Sequence, residues 1–217
     1  MPEIKFCGMT RPADARMAAE LGAAYVGVVF AGGPRRQDDA SAAAILAALP
    51  AGVTGAGVFG ADPAPELARR ASALGLGVVQ LHGDPSPRDV RALRAGWKGV
   101  IWAALRVRGT ELPAMAGELF AVADAVVLDA KVEGALGGTG TTLPWRGLAA
   151  ALAPVRARGA RLVLAGGLRP ENVADAIRAL APDVVDVSSG IESTVGIKDP
   201  GRMRAFRDAV RSVEEAR

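Results

Sequence analysis

One cysteine and one histidine are all that the 217 residues contain. A lone thiol closes no internal disulfide, and a single thiol with a single imidazole cannot build a His/Cys metal site. Aromatic residues are also scarce, at 4%, which leaves few platforms on which bases can stack. Lys and Arg number 26 against 23 Asp and Glu, a net charge of +3 with no basic block. Nucleic acid is therefore not an expected partner, and the slight positive excess suits a small anionic substrate. Gly, Arg, Asp or Pro interrupts every apolar run before it nears the roughly 18 residues of a membrane span. The opening MPEIKFCGMT has neither the basic region nor the long apolar segment of a secretory signal. The expectation is a globular chain of the cytoplasm, with no membrane partner.

What the chain does have is a repeated unit. Short apolar runs fall at 3–7, 25–30, 53–59, 77–82, 99–105, 124–129, 161–166 and 184–189. Most are valine-rich and nearly continuous, as in parallel strands covered on both faces. Between and after them lie segments rich in alanine, leucine and arginine, long enough for crossover helices. Two are expected to open on an aspartate cap followed by proline, in ADP at 61–63 and KDP at 198–200. Strand then helix, repeated without a linker or a break in composition, predicts one (β/α)8 TIM barrel spanning residues 1–217. A doubly wound open sheet is the rival, but the first strand leads into CGMTRP and not into a Gly-x-Gly-x-x-Gly turn.

Barrels of this class carry their chemistry at the C-terminal ends of the strands. Those ends hold Cys7, Gln80, His82, Arg106 and Asp129, with Arg35 and Arg36 in the loop after strand 2. Strands 7 and 8 end in Gly166-Gly167 and Ser188-Ser189-Gly190, small residues whose N–H groups suit a phosphate. The alternative is that such glycines only make tight turns. After strand 6, GALGGTG at 134–140, with Gly137 and Gly138, is either a surface loop or a flap that closes over a ligand. Cys7 and Asp129, on strands 1 and 6, are placed to face one mouth from opposite sides as a base and acid pair, with Lys5 or Arg36 to favour a thiolate. The plain alternative for Cys7 is a buried thiol acting as a small hydrophobe. His82 has no Gly-x-Ser-x-Gly elbow to serve and reads as a residue of the mouth or of the structure.

The strings KFCGMTRPADA, VQLHGD, VLDAKVEGALGGTG, LAGGLRPENV and VDVSSGIESTVGIKD together closely resemble the phosphoribosylanthranilate isomerase family of tryptophan biosynthesis. The matches run in order from residue 4 to residue 199. The resemblance implies an Amadori rearrangement without a cofactor. Asp129 would match the acid that opens the furanose ring, and Cys7 the base that takes the proton from C2, with Gly8 letting the ligand approach the thiol. It also implies an arginine for the anthranilate carboxylate; spacing from Phe30 favours Arg36, and the adjacent proline favours Arg35. A monomer or a homodimer is compatible with it. Two departures from the family pattern are TLPW at 142–145 and Ala103, the latter where relatives often carry a lysine in the barrel. The related histidine-pathway isomerase would need aspartates at the ends of strands 1 and 5, which this chain lacks. A non-catalytic sugar-phosphate binding barrel remains as the reading from another class.

Overall fold

The computed structural model describes residues 1–130 and 142–215. Eight parallel strands close on themselves in sequence order. They are β1 (Glu3–Phe6), β2 (Tyr25–Val29), β3 (Thr54–Phe59), β4 (Val78–Leu81), β5 (Val100–Val107), β6 (Ala125–Ala130), β7 (Arg161–Leu164) and β8 (Val184–Val187). β1 pairs with β2 on one side and with β8 on the other. The helices that follow them are α1 (Pro12–Glu20), α2 (Asp39–Leu46), α3 (Ala64–Ala73), α4 (Pro87–Gly96), α5 (Ala116–Val122), α6 (Trp145–Arg156), α7 (Val173–Leu180) and α8 (Pro200–Glu215). The TIM barrel expected from the repeat is the fold that forms. Among the described residues no helix is long and apolar enough to cross a membrane.

Local chemistry accounts for where the helices start. Ser86 and Asp89 form a reciprocal capping box ahead of Pro87 in α4, Asp38 accepts from Ser41 N–H at 2.8 Å, and Asp199 accepts from Arg202 N–H at 2.8 Å. The KDP cap is therefore made. The ADP cap is not: α3 starts one residue later, with Pro63 at the cap and no side-chain bond there. A feature absent from the sequence reading is an antiparallel hairpin, β9 (Glu192–Thr194) and β10 (Ile197–Lys198), between β8 and α8.

Side chains alternate in and out along each strand, which sorts the core into two shells. Outward residues such as Phe6, Ile101, Ala103 and Leu128 pack under the helices. Inward ones, including Ala56, Val78, Trp102, Val127 and Val163, fill the barrel. Ala103 thus belongs to the helix-facing shell, and the absence of a lysine there leaves the polarity of the barrel interior untouched. By the same alternation Lys5 and Cys7, Gln80 and His82, Asp129, and Asp186 and Ser188 share the inner face. Those nearest the C-terminal ends stand above the apolar plug.

Gly190 joins the last two active-end loops. A Cβ there would lie 2.0 Å from the Leu168 carbonyl oxygen and 3.0 Å from Arg169 Cβ, so only glycine lets the loop after β8 lie against the loop after β7. Gly190→Ala is expected to destabilise the protein by about 1–3 kcal/mol, measured by urea denaturation. A loss below about 0.5 kcal/mol would show that the two loops separate without cost.

Candidate active site

A cavity of about 430 Å³ opens at the C-terminal end of the barrel. Cys7, Arg35, Gln80, His82, Asp129, Gly166, Gly167, Ser188 and Ser189 all line it, so most of the residues singled out from sequence converge. Three do not. Arg36 is exposed, its backbone running beside Val29, and it is not part of the cavity lining. Arg106 is not part of the lining, and its Nε donates to Asp84 Oδ1 at 2.6 Å. Gly190 serves loop packing, as described above. Gly137, Gly138 and the rest of the glycine-rich segment lie outside the described residues. Of the TLPW segment, Leu143 is buried and Trp145 opens α6.

Two glycines after β7 take left-handed conformations, Gly166 at φ +80° and Gly167 at φ +64°, which other residues adopt only under strain. A Cβ on Gly166 would also come within 2.6 Å of Asp129 Oδ1. The loop is held by Asn172, which donates to the Gly167 carbonyl at 3.0 Å and accepts from Arg169 N–H at 2.9 Å. Gly8, at φ +70°, serves the packing of side chains at the cavity. Its missing Cβ makes room for Arg35 Cδ and Ser188 Oγ, each 2.7 Å away from where that atom would be. The residue that gives the thiol its space is Gly27, where a Cβ would sit 2.7 Å from Cys7 Sγ.

Beneath the cavity, Lys5 is fully buried and donates to Gln80 Oε1 and to Asp186 Oδ2, both at 2.7 Å. Gln80 Nε2 reaches His82 Nδ1 at 3.2 Å, and His82 Nε2 lies 3.6 Å from Asp129 Oδ2. Burial opposes the charge on Lys5, but Asp186 and Cys7 outweigh it and hold the ammonium above its ordinary pKa. Burial pushes the Cys7 thiol up, with Asp186 adding to it; Lys5 and Lys198 pull the other way without reversing the shift. Asp129 is likewise raised by burial, against the opposing pull of His82, the Ala130 N–H and Arg106. His82 is lowered by burial, more than Asp129 restores. The resting site therefore favours a neutral thiol, a carboxyl more readily protonated than a free one and an uncharged imidazole.

Sequence reasoning passed over Asp186, Glu192 and Lys198. Glu192, at the start of β9, grips Arg35 with two hydrogen bonds of 2.7 Å, and Lys198 on β10 donates to it at 2.9 Å. Although burial alone would raise Glu192, Arg35 and Lys198 hold it below the usual carboxylate range. Asp186 lines the cavity, and its Oδ1 has no hydrogen-bond partner among the described residues. Among the described residues no group of three or more His, Cys, Asp or Glu is placed to hold a metal ion.

Comparison with known proteins gives a consistent result. Residues 4–209 match the family model described as N-(5'-phosphoribosyl)anthranilate (PRA) isomerase. The N-(5'-phosphoribosyl)anthranilate isomerase of Rubrobacter xylanophilus is 45% identical over 219 residues, covering 98% of this chain and 100% of that protein. The crystal structure of phosphoribosyl anthranilate isomerase from Thermotoga maritima superimposes with a TM-score of 0.86 at 32% identity, over 98% of this chain and 100% of that one. A crystal structure of the same enzyme type in complex with reduced 1-(o-carboxyphenylamino)-1-deoxyribulose 5-phosphate does so with a TM-score of 0.83 at 30% identity, over 98% and 100%.

Because Cys7 is the only thiol, thiolate absorbance against pH reports on it alone. Its midpoint is expected above the value for free cysteine, about 8.5. Asp186→Asn removes a negative neighbour and should lower the midpoint, whereas Lys5→Met removes a positive one and should raise it. A wild-type midpoint below about 8, or shifts of the opposite sign, would contradict this balance of charges.

Proposed function

Since the chain belongs to the family of N-(5'-phosphoribosyl)anthranilate isomerases, we propose that its aldose–ketose rearrangement is run by Asp129 as acid and Cys7 as base. The protein is an isomerase that converts N-(5'-phosphoribosyl)anthranilate to 1-(2-carboxyphenylamino)-1-deoxyribulose 5-phosphate, and the residue roles are our reading of its site. Asp129 gives a proton to the furanose ring oxygen, and the bond from that oxygen to C1 breaks to leave a protonated Schiff base. The Cys7 thiolate then takes the proton from C2, and the electron pair moves to form an enolamine. Proton return to C1 and loss of the hydroxyl proton give the ketone at C2. Protons only change places, so the step needs no external oxidant or reductant.

One observation carries this reading: a thiol and a carboxyl on opposite strands, β1 and β6, line the same cavity together with the loops after β7 and β8. The substrate phosphate is assigned to those loops, where no protein acceptor takes the N–H groups of Gly167 and Ser189 among the described residues. Unpaired donors of this kind favour an anion. Of the two arginines, Arg35 is assigned the anthranilate carboxylate, because it lines the cavity and Arg36 does not. Glu192 occupies one edge of the Arg35 guanidinium, leaving Nη1 for the ligand. A planar fork whose orientation is already fixed loses little freedom on binding.

Cys7→Ala is expected to lower kcat by about 10²- to 10⁴-fold while the reduced product analogue still binds, since a base acts on the barrier more than on ground-state affinity. A variant that keeps more than roughly a tenth of wild-type kcat would make the thiol structural. The pH profile has a particular expected form. The reactive state needs Asp129 protonated and Cys7 ionised, although a carboxyl ordinarily titrates below a thiol. Activity should therefore rise until the carboxyl titrates, level off while one loss matches the other gain, and fall once the thiol is ionised. The assignment is checked by which limb moves: Lys5→Met, through the thiol, should draw the alkaline limb to higher pH. A profile that shows neither limb would place the slow step outside proton transfer.

A further inference from the structure

The buried line of groups from Lys5 to Asp129 has a direction set by chemistry. Lys5 has only protons to give, so the Gln80 atom 2.7 Å from its Nζ is the carbonyl oxygen. The amide nitrogen that remains is a donor, and its neighbour at 3.2 Å is His82 Nδ1, which must accept. An imidazole whose Nδ1 accepts is uncharged and keeps its proton on Nε2. That nitrogen is the one 3.6 Å from Asp129 Oδ2. The other carboxyl oxygen, Oδ1, already receives Ala130 N–H at 2.8 Å and lies beside Gly166, which leaves Oδ2 to exchange the proton.

We propose that Gln80 locks His82 in the neutral tautomer protonated on Nε2, so that a hydrogen-bond donor, and not a cation, meets Asp129 as it gives up its proton. The proposal rests on the reading of Asp129 as the acid. An imidazolium at this place would hold the carboxyl ionised before the substrate arrived. A ring with its proton on Nδ1 would leave the new carboxylate facing a lone pair. The neutral donor avoids both: at 3.6 Å it is too far for a hydrogen bond to the resting acid, and the stronger acceptor created by proton loss draws it in. The charged groups facing this pair from neighbouring strands are Lys5, Asp186 and Arg106, the last of which is bonded to Asp84. Gln80 and His82 act as positioning residues.

His82 is the only histidine, so ¹⁵N NMR of the intact, histidine-labelled protein reads this one ring without assignment. The expected spectrum has a pyrrole-type Nε2 and a pyridine-type Nδ1 at neutral pH. Gln80→Glu keeps an acceptor for Lys5 but replaces the donor facing Nδ1 by an acceptor. It should put a proton on Nδ1, move the acidic break of the kcat/KM profile, and lower kcat about tenfold or more with little change in KM. A wild-type ring that is an imidazolium or carries its proton on Nδ1 at neutral pH would overturn the proposal. So would a Gln80→Glu variant whose ring spectrum and pH profile match the wild type. If that variant does not fold, the wild-type spectrum alone decides. Wild-type protein without isomerase turnover would defeat the reading of Asp129 and the catalytic purpose of the lock with it, whereas turnover with the wrong tautomer defeats the lock alone.

Discussion

An ammonium ion placed inside a barrel costs several kcal/mol unless other groups replace its water, and Lys5 has no exposed surface at all. Its partners come from far away in sequence: Asp186 on β8, Gln80 on β4, and the face of Trp102 on β5, whose ring centroid is 5.5 Å from Nζ. This one charge therefore links strands on different sides of the barrel. It also divides the interior. Below it lie Trp102, Tyr25 and the aliphatic plug; at its level and above stand the polar groups of the cavity. Removing Asp186 or Gln80 would leave a buried charge underpaired, so geometry and stability are coupled at the floor of the site.

The eight strands and their order could be read from sequence because each is a short valine-rich run between segments that can only be crossovers. The strand-end residues could be read because this architecture confines chemistry to one rim. What stayed hidden is what depends on distant partners. Nothing near Glu192 or Lys198 announces that β9 and β10 will form a hairpin, or that Glu192 will clamp Arg35 from 157 positions away. The choice between Arg35 and Arg36 turns on the backbone path after Val29, which a spacing of one residue cannot settle. Asp186 had a usable signal. It sits two residues before Ser188, and alternation along β8 puts both on the inner face, so a carboxylate in an apolar run was bound to need a buried partner. Lys5, two residues before Cys7, meets the same condition on the adjacent strand.

The charges around the cavity work against one another in a way that suits proton transfer in two directions. Burial raises both Cys7 and Asp129, and each is then pulled back by a neighbour of opposite or potential positive charge. For a carboxyl the result is a proton available nearer neutrality. For a thiol the result is a base strong enough to compete for a proton on carbon, at the expense of a smaller fraction in the ionised form. Such a site trades population for strength. The substrate can shift that trade only through groups it touches, which is why Lys5, held away from the cavity by Gln80 and Asp186, keeps its influence on the thiol before and after binding.

The hairpin after β8 extends this reasoning to the rim. Arg35 is long and has many rotamers, and a free arginine at a cavity mouth would lose that freedom on gripping a ligand. Glu192 removes it beforehand with two hydrogen bonds, and Lys198, a second cation on that carboxylate, also donates to the Ser188 carbonyl at 3.1 Å. Lys198 thus ties the loop after β8, where the phosphate is assigned, to the clamp on the arginine assigned to the carboxylate.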